Sequence, residues 1–255
     1  MMKTGKNKRL LASILAASML LAMSPFALAE ENTQDTTDPG QSQSTEGGGT
    51  EQTCAAKIGE TEYSTLAGAI DAANIYDANS DVTIVMLRDV TENIEINKSL
   101  TLDLGGHTLS GDGDAEAAVV TISGDKPQVT VKNGTVTGGK KSGIRITDAD
   151  VTLTKLTVTK NASTGNGGGI DAVKGKELVV EQCAINENTA KNKGGGIHVE
   201  DTPLKVVGSK IENNQGLHGA GINLSDTKTP VCGRHEITGT LIEGNKVLNN
   251  YGIGG

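Results

Sequence analysis

Apolar and polar positions in this chain alternate in short bursts that recur at a nearly constant interval. The clearest bursts are apolar-polar-apolar triplets: Val120-Thr121-Ile122, Ile144-Arg145-Ile146, Ile170-Asp171-Ala172, Ile197-His198-Val199 and Ile222-Asn223-Leu224. Their first members lie 24, 26, 27 and 25 residues apart. A second register follows the first four triplets as Val129…Val136, Val151…Val158, Leu178…Ile185 and Leu204…Ile211, the members of each pair seven positions apart. A third closes "VTKN", "INEN", "IENN" and "IEGN" with Asn161, Asn188, Asn214 and Asn245. Period-two alternation predicts strands with alternate side chains facing inward. A repeat of about 25 residues holds two or three short strands and their corners, without room for a ten-residue helix. One repeat cannot bury its own inward face, so neighbours must stack. The expected fold is therefore all-β: a single-stranded parallel β-helix over residues 82–255, one coil per repeat, stacked at the strand spacing of about 4.8 Å.

Glycine clusters mark the corners. "NGGGIDAV" (166–173), "NKGGGIHV" (192–199) and "HGAGINLS" (218–225) each run into a triplet, and glycine supplies the positive φ and close backbone approach that a tight corner needs. The asparagines mark another corner: Asn tolerates the left-handed conformation, and its amide can both donate and accept along the stack. The same registers put Leu156, Cys183 and Ser209 in one inward column. Upstream, 82–87 ("VTIVML") and 94–111 ("IEINKSLTLDLGGHTLSG") read as strands of the first coils. Before them, 63–78 is the one expected helix, with Ser64 or Thr65 as N-cap and Leu66, Ala69, Ile70 and Ala73 on one face. It would sit in a cap (54–81) covering the exposed first coil. "NNYGIGG" at the end, with Gly252-Ile253, reads as a further corner and strand start, so the rod is expected to continue beyond this chain.

The first residues predict export. Lys3, Lys6, Lys8 and Arg9 precede an apolar run and Ala27-Leu28-Ala29, the pattern of a signal peptide (1–29) cleaved before Glu30; no membrane insertion is expected afterwards. Residues 30–53 contain no large apolar residue and no base, which predicts a disordered acidic spacer. The chain carries 23 bases and 31 acids, net −8; without the four leader bases, 19 bases face 31 acids. Six of those acids lie in the spacer, so the body is mildly acidic and recognition of nucleic acid through a basic patch is not expected.

The repeats resemble those of the polymorphic outer membrane proteins of chlamydiae, in which a Gly-Gly-Ala-Ile-like motif pairs with Phe-x-x-Asn. Here "GGGI" pairs with "INEN" or "IENN" over about 143–253, with Ile or Val in place of the Phe. "INKSLTLDLGGHTLSG" with its capping helix also resembles the start of β-helix domains in large Gram-positive surface proteins, which share the pectate-lyase-like fold. These resemblances imply right-handed coils and a surface rod that is often adhesive.

Candidate chemistry is sparse. The main alternative is a polysaccharide lyase or hydrolase of pectate-lyase-like fold whose active coils lie outside this chain. Such enzymes combine acid clusters for calcium with a proton-abstracting arginine, or paired Asp residues. The body holds only Arg88, Arg145 and Arg234; Arg145, on a strand beside Asp171 and His198, reads as a solvated residue paired with Asp171. "GNGGGIDAV" partly matches a calcium-binding nonapeptide, with Asn166 first and Asp171 as the acid, but occurs once, and "GDGD" (111–114) reads as a polar turn. No catalytic residue, metal or cofactor is therefore expected. His107 falls in the column of Leu156 and Cys183, as a buried or corner residue. Cys54, Cys183 and Cys232 form no disulfide framework; Cys183 reads either as a small core hydrophobe or as a partner for Cys232. Aromatics make up 2% of the chain with no Trp, so no stacking platform for sugars exists. The outward members of the triplets, Thr121, Arg145, Asp171, His198 and Asn223, form the candidate binding face, facing a host glycoprotein or an extended polysaccharide. The expected role is a secreted or cell-surface rod, adhesin or stalk.

Overall fold

A computed structural model describes residues 53–75, 81–227 and 235–248, all within one compact unit, Thr50–Gly255. The expected signal peptide, nearly all of the expected spacer, and Cys232, Arg234 and Gly252-Ile253 lie outside the described residues.

The described residues wind as stacked coils whose strands form three sheets of fourteen, six and four strands. One coil shows the plan. Ile170–Val173 lies in the six-stranded sheet; Glu177–Glu181 and Ala184–Asn186 cross the large sheet; Thr189–Ala190 lies in the short sheet, and a glycine corner leads to Ile197–Glu200 of the next coil. Neighbouring coils pair in parallel and in strict register: Ile170 opposite Ile197, Leu178 opposite Leu204, Ile185 opposite Ile211. A parallel β-helix is thus the observed fold.

The core is a set of stacked columns. Ile94, Val120, Ile144, Ile170, Ile197 and Ile222 are register partners in turn; Ile144, Ile170 and Ile197 are fully buried, and Ile222 packs against the same core. Each fully buried aliphatic side chain contributes about 1.5–3 kcal/mol, and alternation supplies one at every second residue.

Left-handed residues recur from coil to coil, and two of these sets bear on the strand break and on the asparagine corner. The first breaks the long strand at Asn133, Lys155, Gln182, Gly208 and Gly239, with φ of 57°, 53°, 52°, 57° and 59°. The second turns the corner at Lys160, Glu187, Asn213 and Gly244, with φ of 56°, 55°, 57° and 66°. The latter corrects the expectation from sequence: the left-handed residue precedes each asparagine of the column. The reversal is made one residue early, which leaves Asn161, Asn188 and Asn214 with ordinary backbone and their amides directed into the stack.

The cap is more than a helix. Ala56–Ile58 pairs antiparallel with Thr61–Tyr63 and with Ile84–Met86, so a hairpin covers the first edge of the large sheet. The helix runs Leu66–Ala73, shorter than the expected 63–78. Tyr63 belongs to the hairpin, and Thr65 is the N-cap, its hydroxyl accepting from Gly68 N at 3.0 Å. Leu66, Ala69, Ile70 and Ala73 form its buried face; residues 76–78 lie outside the described residues. Glu92 reaches up from the first coil and accepts from Leu66 N at 3.3 Å and Ala67 N at 3.0 Å, satisfying two of the helix's free N–H groups.

Candidate functional site

The outward residues of the six-stranded sheet form one ladder: Glu95, Thr121, Arg145, Asp171, His198 and Asn223 are register partners from coil to coil. Glu95 was not singled out from the sequence, although Ile94-Glu95-Ile96 is a triplet one interval before Val120. The ladder is not an open face throughout. Thr121, Arg145 and Asn223 are half-buried, whereas Asp171 is 7% exposed and His198 fully buried. The register places all five expected residues in one ladder, but the glycine corners cover two of them. Gly167, Gly194 and Gly219 take φ of 58°, 65° and 57° and fold back over the residue four positions ahead. A Cβ on Gly167 would stand 2.4 Å from Asp171 Cβ, and one on Gly194 2.7 Å from His198 Cβ. The first glycine of each cluster therefore covers the ladder; only a residue without a side chain fits there.

Beneath that cover Asp171 pairs with His198 rather than with Arg145, a second correction. His198 Nδ1 lies 2.8 Å from Asp171 Oδ1, and an ionised carboxylate can only accept, so Nδ1 carries the proton. The Arg145 guanidinium has no hydrogen bond or ion pair with a described residue. Among the described residues no three His, Cys, Asp or Glu side chains are grouped to hold a metal ion. The atoms of the calcium-like pattern are engaged within the protein: Asn166 Oδ1 accepts from Lys193 N at 3.3 Å, and Asp171 holds His198. The "GDGD" segment is a run of side-chain turns, with Asp114 N on Asp112 Oδ1 and Glu116 N on Asp114 Oδ1, both 2.9 Å.

The asparagines at the opposite corner form a bonded column. Asn188 Oδ1 accepts from both the backbone N–H and the amide of Asn161, each at 3.0 Å. Asn188 Nδ2 donates to Val158 O at 2.9 Å and to Asn214 Oδ1 at 3.1 Å. Asn214 repeats the pattern with Ile185 O at 2.9 Å and Asn245 Oδ1 at 3.0 Å. Asn161, Asn188 and Asn214 are buried, and Asn245 is half-buried. The last glycine of each cluster packs against this column: a Cβ on Gly169 or Gly196 would lie 3.0 Å from the Nδ2 of Asn188 or Asn214. Glycine clustering thus has separate causes along its length, since a Cβ on the middle Gly168 or Gly195 would stand 2.5 Å from Gly195 O or 2.2 Å from Gln215 O.

Cys183 occupies the break in the long strand. It is a free, buried thiol, bonded at Sγ to Glu181 O at 3.2 Å, while its N–H donates to Ser209 Oγ at 3.1 Å. Burial pushes the thiol up to about 11, which makes it a poor nucleophile. This is the small core residue of the two readings, and the proposed bridge to Cys232 is not present at Cys183. His107 is a half-exposed corner residue with Nδ1 3.5 Å from Asp89 Oδ1.

The outer face of the large sheet is the more open surface. Near its first strands lies a shallow trough of about 550 Å³, lined by Ser99, Thr101, Gln128, Thr130, Asp150 and Thr152 among others. Among the described residues no helix is long and apolar enough to cross a membrane.

Coils, register and covered ladder together define a parallel β-helix protein. A family profile described as "Right handed beta helix region" matches residues 114–254, so the chain belongs to the right-handed β-helix family. No curated protein and no solved structure matches it.

Proposed function

We propose that this chain is a secreted or cell-surface β-helix rod acting as an adhesin or structural stalk. The observation that carries the reading is the strict parallel register from Ile94 to Ile222, a repeating scaffold whose outward side chains change at each coil. Such a surface suits weak, multivalent contact with an extended partner better than capture of a small molecule. The likeness of "GGGI" with "INEN" to the chlamydial outer membrane repeats supports adhesion, and the leader-like first 29 residues support export. Host glycoproteins and extended polysaccharides are the proposed partners. Contact would use the half-buried Thr121, Arg145 and Asn223 and the open large sheet, since Asp171 and His198 are covered.

The test is to locate the full-length protein in its own cells by surface labelling, and to measure its binding to immobilised glycoproteins and polysaccharides. Surface exposure with binding supports an adhesin, and exposure without binding leaves a stalk. Retention inside the cell overturns both, and release of unsaturated sugar from pectin-like polymers would replace them with a lyase.

A further inference from the structure

The outer face of the large sheet changes character along the rod. On the three coils containing Leu100–Ser110, Gln128–Thr137 and Asp150–Thr159, register partners form four outward columns of three residues. One column is Thr101, Thr130 and Thr152, and another is Thr108, Thr135 and Thr157. Ten of these twelve positions carry a hydroxyl; the exceptions, Asp103 and Lys132, pair with each other at 3.5 Å. None of the ten side chains bonds to another described protein group.

Threonine is favoured on half-buried strands in general, but the fold does not demand it here. In the next two coils the column of Thr152 continues as Val179 and Lys205, and that of Thr157 as Ala184 and Lys210. None of the eight corresponding positions there carries a hydroxyl. The field is therefore a local patch with no net charge. The trough of about 550 Å³ overlaps the field at its first column, Thr101, Thr130 and Thr152, and is also lined by Asp81 and by Asp150, which pairs with Lys176 at 3.1 Å. It spans four strands, about 14 Å along the rod at the usual strand spacing.

We infer that this hydroxyl field and its trough bind a neutral linear glycan lying along the rod axis, an inference that rests on the adhesive reading above. Each hydroxyl both donates and accepts, so every step of the column meets an uncharged polyhydroxyl chain with a matching group. The periodicity favours a polymer with a short repeat, and the paired Asp103 and Lys132 of the field, with Asp81 and Asp150 at the trough, give no advantage to acidic polymers. Without aromatic stacking each contact is weak, and affinity accumulates along the polymer.

Affinity electrophoresis of the full chain through gels containing xylan, mixed-linkage β-glucan, polygalacturonate or chitosan tests this. The expected result is retardation by a neutral glycan that persists at high salt, weakened about tenfold or more in the double variant Thr130→Lys, Thr152→Lys. Lysine already stands in that column at Lys205, and an unchanged melting curve verifies folding. Lys191→Ala, at the exposed corner after the short sheet, retains wild-type retardation. Unaltered migration in both neutral glycans, retardation by a charged polymer alone, or full binding by the double variant overturns the inference. Binding to host glycoproteins without neutral-glycan binding also overturns it and leaves the adhesive reading standing.

Discussion

Replacing Asn188 by leucine tests how much the asparagine column holds the stack together. The substitution removes the acceptor of the buried Asn161 N–H, which has no other partner, and the amide donor to Val158 O. Other neighbours keep a partner: Asn161 Nδ2 still reaches Val136 O and Thr159 O, and Asn214 Oδ1 still receives the residue-188 N–H. One orphaned buried donor costs about 1–3 kcal/mol, and each further lost bond about 0.5–1.5 kcal/mol. A net loss of about 3 kcal/mol is expected. With a urea dependence of about 2 kcal/mol per molar, the unfolding midpoint should fall by roughly 1.5 M. Asn186→Ala, on the outward face of the same coil, should change stability by less than about 0.5 kcal/mol. A shift for Asn188→Leu no larger than that of the Asn186 control would refute the reasoning and reduce the column to a solvated turn.

Three further outcomes follow from other parts of the structure. Because burial raises the Cys183 thiol from 9.0 to about 11, its stabilising contribution is complete below pH 9 and is lost as the pH rises towards 11. That loss is up to about 3 kcal/mol at 1.36 kcal/mol per pH unit; Cys183→Ser, matching Ser209 in the next coil, should lack it in alkaline denaturation, and an equal loss in the variant would exclude the thiol as its source. Glu92→Ala should destabilise the cap by about 1 kcal/mol through loss of its bonds to Leu66 N and Ala67 N, seen as faster amide exchange in the helix with little change in the central coils. Glu187→Gly should stabilise by about 0.5 kcal/mol, since relief of a left-handed residue outweighs the added chain entropy; its exposed pair with Lys160 at 4.0 Å is worth little, and a lower melting temperature would contradict this.

The sequence alone determined the period, the strands and the inward columns. These follow from alternation and spacing, which act locally and repeat: Ile144, Ile170 and Ile197 could be aligned before any coil was drawn. It also marked where glycine and asparagine must turn the chain. Only the tertiary structure decided what each corner does. Gly167 and Gly194 cover Asp171 and His198 because a corner's return path depends on the coil beside it, and no local pattern records that path. The same holds for the left-handed residue falling at Glu187 instead of Asn188, and for Asp171 choosing His198 over Arg145, since both neighbours are one strand away. The cap hairpin and Glu92 were invisible for a related reason: they join elements about 25 residues apart without periodicity to announce them. Burial by stacking is written in the repeat, whereas burial by a folded-back loop is a property of the assembled coils.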